Sequence, residues 1–216
     1  MKSDDEIKRD VEAELRWSPQ IKETDIAVKV NGGEVTLSGF TGSYFEKHEA
    51  ESVARRVKGA AAIANDIQVN LPTGAPSDPE IARAALLALK LALPFAWEEI
   101  TPTVAQGRVS LTGEVEWHFQ RESAETAMRH LDGVVSVLNQ VRVKPRIAAD
   151  NIKHKIEDAF RRIAEVDAKH ISVDAHGSEV TLRGEVRSWA ERDQAVQTAW
   201  AAPGVSKVNN SLTIRT

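Results

Sequence analysis

Asn31-Gly-Gly-Glu-Val-Thr-Leu-Ser-Gly39 decides the fold, because the chain carries this stretch three times. It returns as Gln106-Gly-Arg-Val-Ser-Leu-Thr-Gly113 and as Gly177-Ser-Glu-Val-Thr-Leu-Arg-Gly184. Each copy reads as a glycine-bearing turn, a strand of period-two alternation and a closing glycine. The alternation turns Val35 and Leu37 toward a core, and likewise Val109 and Leu111, and Val180 and Leu182. Gly39, Gly113 and Gly184 stand where a side chain would obstruct a turn or a close helix–strand approach.

Upstream of the first copy, Ser3 with Glu6 three residues on reads as a capping box, and Ile7, Val11 and Leu15 mark one helical face. Pro19 ends that helix near Trp17. Ile26, Val28 and Val30 alternate as a strand leading into the Asn31-Gly32-Gly33 hairpin turn. Downstream, Ala50, Val53, Ala54 and Val57 predict a second helix over roughly 43–58, closed by Gly59. A third strand carries Ile63, Ile67 and Val69. The order is α-β-β-α-β. An offset of about 74 residues gives the second copy and a further 71 or so the third, with no insertion inside any copy. The expectation is an α+β chain of three tandem αββαβ modules, each a small mixed three-stranded sheet packed against two helices. The domains fall at 1–72, 76–145 and 146–216. The linker at 71–78 carries proline and glycine, whereas Lys144-Pro145-Arg146 is short, so repeats 2 and 3 are expected to be held more tightly than 1 and 2.

This pattern resembles the BON domain. The resemblance rests on the Gly-x-Val-x-Leu-x-Gly hairpin, the alanine-rich second helix and the closing Gly-Val-x-x-Val-x-Asn pattern at Gly133 and Gly204. BON domains are small αββαβ modules of bacterial envelope, osmotic-stress, transport-associated and nodulation-related proteins. The resemblance implies a binding module without catalysis, associated with phospholipid surfaces and sometimes with other ligands. It brings no diagnostic site motif.

Composition narrows the function further. The chain has no cysteine, which removes disulfides, thiolate metal sites and cysteine nucleophiles. A formal net charge of −4 argues against a nucleic-acid partner, which would require a basic face. The charge is uneven: −3 over residues 1–72 (10 basic, 13 acidic), −2 over 73–145 (7 and 9) and +1 over 146–216 (11 and 10). Lys153, Lys155, Arg161 and Arg162 make the first helix of repeat 3 basic, with Glu157 and Asp158 among them. The six histidines show no metal-ligand spacing, and no nucleophile elbow, P-loop or dinucleotide fingerprint occurs. We expect no metal, no cofactor, no catalytic residue and no transmembrane segment. The polar start Met1-Lys-Ser-Asp-Asp-Glu reads as lacking a signal peptide, so the expected location is cytoplasmic, or periplasmic if an export signal has been removed.

Asn65, Asn139 and Asn210 recur in each third strand on the face of its apolar residues. An inward amide must be hydrogen-bonded, so these either tie a loop or bulge in every repeat or meet a ligand. Aromatics followed by a basic residue stand before each second helix: Tyr44, Phe45 and Lys47; Trp117, Phe119 and Arg121; Trp189 and Arg192. A hydrophobic staple is the favoured reading, a lipid or partner surface the other. The least ordinary segment is the first helix of repeat 2, residues 81–93. Leu86 and Leu87 replace Glu12 and Ala13 of repeat 1, and Glu157 and Asp158 of repeat 3, and they flank Arg83 and Lys90. Trp97 follows, at the place of Glu23 and Ala168. A helix apolar nearly all round must be covered by neighbouring repeats or by a lipid surface or protein partner. Trp200 replaces Arg55 and Arg129 on an expected solvent face. Arg83, Leu86, Leu87, Lys90 and Trp97 are therefore the candidate contacts to an anionic phospholipid surface or a protein partner. The alternative function is a cytoplasmic small-ligand or ion sensor with its site between repeats.

Overall fold

The computed structural model describes residues 2–21, 25–144, 152–163 and 170–215. Repeat 1 comprises α1 (Asp4–Trp17), β1 (Ile26–Asn31), β2 (Glu34–Thr41), α2 (Tyr44–Arg55) and β3 (Ala62–Val69). Repeat 2 comprises α3 (Asp78–Ala92), β4 (Ile100–Ala105), β5 (Arg108–Val115), α4 (His118–Arg129), β6 (Ser136–Asn139) and β7 (Arg142–Val143). Repeat 3 comprises α5 (Ile152–Arg162), β8 (Ile171–His176), β9 (Glu179–Val186), α6 (Trp189–Ala201) and β10 (Lys207–Ile214). The three tandem α+β modules expected from the repeat are present.

In every sheet the repeated stretch is the central strand. β2 pairs antiparallel with β1, from Ile26 opposite Gly39 to Asn31 opposite Glu34, and parallel with β3. A tight turn makes the antiparallel pair, whereas the parallel pair needs a crossover, which α2 supplies. Repeats 2 and 3 pair the same way. One departure occurs in repeat 2, where the third strand is interrupted at Gln140 and Val141 and resumes as β7 beside β5.

The helices cover one sheet face because their apolar positions fall at helical spacing. Ile7, Val11 and Leu15 of α1 are buried, as are Ile81, Ala85 and Leu89 of α3 and Ile152, Ile156 and Phe160 of α5. Val35 and Leu37 meet the first of these sets, and Val180 and Leu182 the last. The Ser3 and Glu6 capping box forms, and Glu80 repeats it by accepting from the Ser77 amide at 2.8 Å. Asp4, in the first turn of α1, then reaches across to the hairpin and accepts from the Gly32 and Gly33 amides at 2.7 and 3.0 Å. Asp78 does the same for Gln106 and Gly107, both at 2.8 Å. Each aspartate satisfies turn amides that a strand ladder leaves unpaired.

Residues 1–115 and 119–142 form one compact unit; residues 116–118 and 143–216 form a second. The expectation from linker length is thereby corrected: repeats 1 and 2 share a unit and repeat 3 stands in the other. The reason is side-chain packing, described below. The short linker itself, Pro145 and Arg146, lies outside the described residues.

Candidate functional site

Ser77 and Pro79 start α3, and Leu93 with Pro94 stops it. The helix therefore presents three faces with separate duties. Ile81, Ala85 and Leu89 fill the core of repeat 2. The other faces carry the candidate residues Arg83, Leu86, Leu87 and Lys90, which are exposed. Leu86 is 41% exposed and Leu87 59%. Arg83 and Lys90 are exposed beside them. Arg83 makes no ion pair among the described residues. Lys90 instead places its ammonium 4.3 Å from the centre of the Trp97 ring, a cation–π contact across the helix end. Trp97 is half-buried in a short 3-10 turn, so it props the lysine as well as bordering the surface.

Two residues belong to this surface that the pattern of substitutions did not single out. Leu91 is 77% exposed, and Phe95, just past Pro94, is fully exposed at 100%. Leu87, Leu91 and Phe95 follow one another at intervals of four, so the signal was available as helical spacing. Phe95 was hidden from it because it lies beyond the helix end, where periodicity no longer assigns a face. In repeat 1 the position of Leu91 is held by Trp17, also exposed. Glu23 and Ala168, the positions matched with Trp97, lie outside the described residues.

The three asparagines do structural work. Asn65 donates to the Lys47 carbonyl and to Glu51 of α2, both at 3.2 Å, and accepts from the Ile67 amide. Asn139 donates to the Arg121 carbonyl at 2.9 Å and to Glu125 at 3.1 Å, and accepts from the Val141 amide. Asn210 keeps the bond from the Leu212 amide at 3.0 Å, while Val196 replaces the helix glutamate. Each side chain thus holds its own strand, and in repeats 1 and 2 it also ties that strand to the helix above.

The first of the segments before the second helices needs a correction. Ser43 is the N-cap, accepting from the Glu46 amide at 3.2 Å, and Tyr44 and Phe45, which follow it, reach repeat 2 rather than serving only as a staple of their own helix. The Phe45 ring lies 4.4 Å from that of His130, and Tyr44 bonds the backbone at Val137. Burial first, then the Glu125 carboxylate, raises the Tyr44 hydroxyl above its ordinary value. His48 is held below its ordinary value by burial and then by Arg129. Burial also pushes Glu125 up, but bonds from Arg129 and Asn139 outweigh it and leave the carboxyl low. This joint puts repeats 1 and 2 in one unit. In repeat 3, Trp189 stacks under Arg192 at 4.8 Å. Trp200 packs against the core of that repeat and meets the His118 ring edge-on at 4.0 Å.

Among the described residues no group of three or more His, Asp or Glu side chains gathers at metal-binding distance, and no helix is long and apolar enough to cross a membrane. The site is a convex helix face with leucines, a phenylalanine and two cations. Such a face offers apolar contact beside positive charge.

A helix-strand-strand-helix-strand module with a glycine-closed central strand, built three times, defines the class. The BON domain family matches residues 3–70, 77–145 and 148–216, and the chain belongs to that family. A relative is "Osmotically-inducible protein Y" of Escherichia coli (strain K12), 32% identical over 149 residues, spanning 65% of this chain and 73% of that protein. Among solved structures, "CdsD, a structural protein of the Type III secretion system (TTSS) of Chlamydia trachomatis" aligns over 97% of this chain and 92% of its own. The identity there is 14% and the TM-score 0.26, a likeness that carries no argument.

Proposed function

We propose that this chain is a non-catalytic attachment module of a bacterial stress- or envelope-associated protein, and that the outer face of α3 seats it on an anionic phospholipid surface. The observation that carries this reading is the exposure of Leu86, Leu87, Leu91 and Phe95 on one stretch that also bears Arg83 and Lys90. An apolar residue moved from water into an acyl boundary contributes about 1.5–3 kcal/mol. Two or three such side chains suffice for reversible attachment, and each nearby cation adds about 1 kcal/mol at an anionic surface. A protein partner would favour a groove or flat patch with buried anchors; a convex row of aliphatics under a ring and two cations suits headgroups better. The osmotic induction in the relative's name supports a stress-associated role, and family membership supports the module's binding character.

The test is the double variant Leu86→Glu/Leu87→Glu. Both side chains face outward, so thermal melting is expected to stay within a few degrees of the parent. Co-sedimentation with vesicles rich in phosphatidylglycerol is expected to be lost. Binding that persists at parental strength removes this face from the function. A large drop in melting temperature shows that the leucines serve the fold instead.

A further inference from the structure

Repeat 3 contains a cleft of about 410 Å³ between α5 and the last turn of α6. Its size falls in the range of small-molecule sites, roughly 300–1,000 Å³. The opening has a sequence cause. The α6 wall is Ala201, Ala202 and Pro203, where repeat 1 has the larger Arg56, Val57 and Lys58 and repeat 2 has His130, Leu131 and Asp132. The α5 wall carries Lys155, Asp158 and Arg162.

The charges on α5 divide into two sets. Lys153 pairs with Glu157 at 3.9 Å, and Arg161 with Asp158 at 2.7 Å. Lys155 and Arg162 have no ion-pair partner among the described residues, and both line the cleft. They lie seven residues apart on one face, two turns or about 10 Å, so long side chains can converge on one group between them. The matched positions are Asp10 and Trp17 in repeat 1, and Ala84 and Leu91 in repeat 2. Among the described residues, only repeat 3 joins two uncommitted cations to a cleared wall.

We propose that this cleft binds a small organic phosphate bearing hydroxyl groups, with the phosphate between Lys155 and Arg162. A phosphate monoester carries about −1.5 to −2 charges at neutral pH and so engages both cations, where a carboxylate needs one. The guanidinium of Arg162 can meet two phosphate oxygens at once. The end of α6 offers carbonyls without helical donors, which suit hydroxyls on the organic part. Ala201 and Ala202 leave room for its carbon skeleton. The phosphate can come from a soluble metabolite or from a lipid headgroup, and glycerol 3-phosphate represents the chemistry common to both.

The experiment uses the full chain, labelled with nitrogen-15 and titrated with glycerol 3-phosphate, with glycerol and sulfate as controls. Saturable shifts are expected at the Thr198, Ala201 and Ala202 amides. Lys155→Gln/Arg162→Gln is expected to weaken binding at least about tenfold, as loss of charge-assisted bonds requires. Ala202→Val, which installs the repeat 1 residue and leaves both cations in place, is expected to weaken it as well. Leu86→Glu/Leu87→Glu is expected to leave it unchanged, which separates this cleft from the α3 surface. Vesicles containing phosphatidic acid form the second arm. Attachment that depends on Lys155 and Arg162 and is displaced by glycerol 3-phosphate assigns the headgroup; saturation by the soluble ligand without such attachment assigns the metabolite. The proposal is overturned if neither arm depends on the two cations, or if sulfate reproduces the shifts at equal strength.

Discussion

Gly39, Gly113 and Gly184 have φ values of +126°, +137° and +129°, a region in which L side chains are strained. The cause is the approach of the chain entering the preceding strand. A Cβ on Gly113 would sit 2.0 Å from the Glu99 carbonyl oxygen; on Gly184, 2.0 Å from that of His170. Gly177 has φ +60° but open space around it. Gly113→Val is therefore expected to cost roughly 3 kcal/mol or more, since strain and a backbone collision add, whereas Gly177→Ala costs about 1 kcal/mol. Chemical denaturation of the two variants checks the ordering; similar small losses would mean that the backbone at Gly113 yields. The asparagines support a second comparison. Asn139→Ala removes two donated bonds and one accepted bond, an expected loss of about 1–3 kcal/mol. Asn210→Ala removes the strand bond from Leu212 and no contact to a helix glutamate, so its expected loss is smaller. Equal losses, measured by the same denaturation, would contradict the account of the helix tie.

The helices show where local pattern and tertiary packing part company. α2 ends at Arg55 rather than near Lys58, because tighter turns from Val53 to Arg56 and Ala54 to Val57 bring the chain down toward β3. At its other end, α2 carries Tyr44, Phe45 and His48 into the joint with α4. The groups facing His48 there are Glu51 and Arg55 on its own helix and Glu125 and Arg129 on α4. Its folded pKa lies below the ordinary 6.5, so folding favours the neutral ring. That contribution is fully present above about pH 6.5 and is lost as pH falls through the lowered value. Glu122, raised first by burial and then by Glu125, works in the opposite sense. Between pH 7.5 and pH 5.5 the joint is expected to follow the histidine. Amide exchange at the start of α2 and the end of α4 is expected to quicken over that interval in the parent and to change less in His48→Gln. A pH response identical in the variant would remove His48 from the joint.

Across the entire chain, the pairing of repeats 1 and 2 predicts how it divides. Residues 1–144 hold both sides of the Phe45–His130 joint, so this fragment is expected to melt as one cooperative unit at a temperature close to the corresponding transition of the full chain. Residues 76–216 are expected to fold too, with a repeat 2 that lacks Tyr44 and Phe45 and melts lower. Calorimetry of the two fragments decides it; a repeat 2 equally stable in both would make the joint energetically idle. The boundaries at 1–72, 76–145 and 146–216 are proposed on the same basis, and limited proteolysis is expected to cut near residues 72–76.

The amino-acid sequence by itself determined the module and its number. Period-two and period-3.6 spacing are local, and glycines required by backbone geometry recur wherever the same geometry is built. It also marked Leu86 and Leu87, because repeats in one chain act as controls for one another: a core must keep its positions, so a departure on an outer position stands out. Tertiary structure alone decided the rest. Whether an apolar helix face is covered depends on neighbours distant in sequence, and among the described residues Leu87, Leu91 and Phe95 stay exposed. Phe95 joined the surface only once the end of α3 and Pro94 had placed it beyond the helix. Tyr44 and Phe45 read locally as a staple, but their partners are more than 70 residues away, where no short-range pattern reaches. The cleft of repeat 3 likewise exists only where small residues of α6 come to face the uncommitted cations of α5, a meeting set by packing.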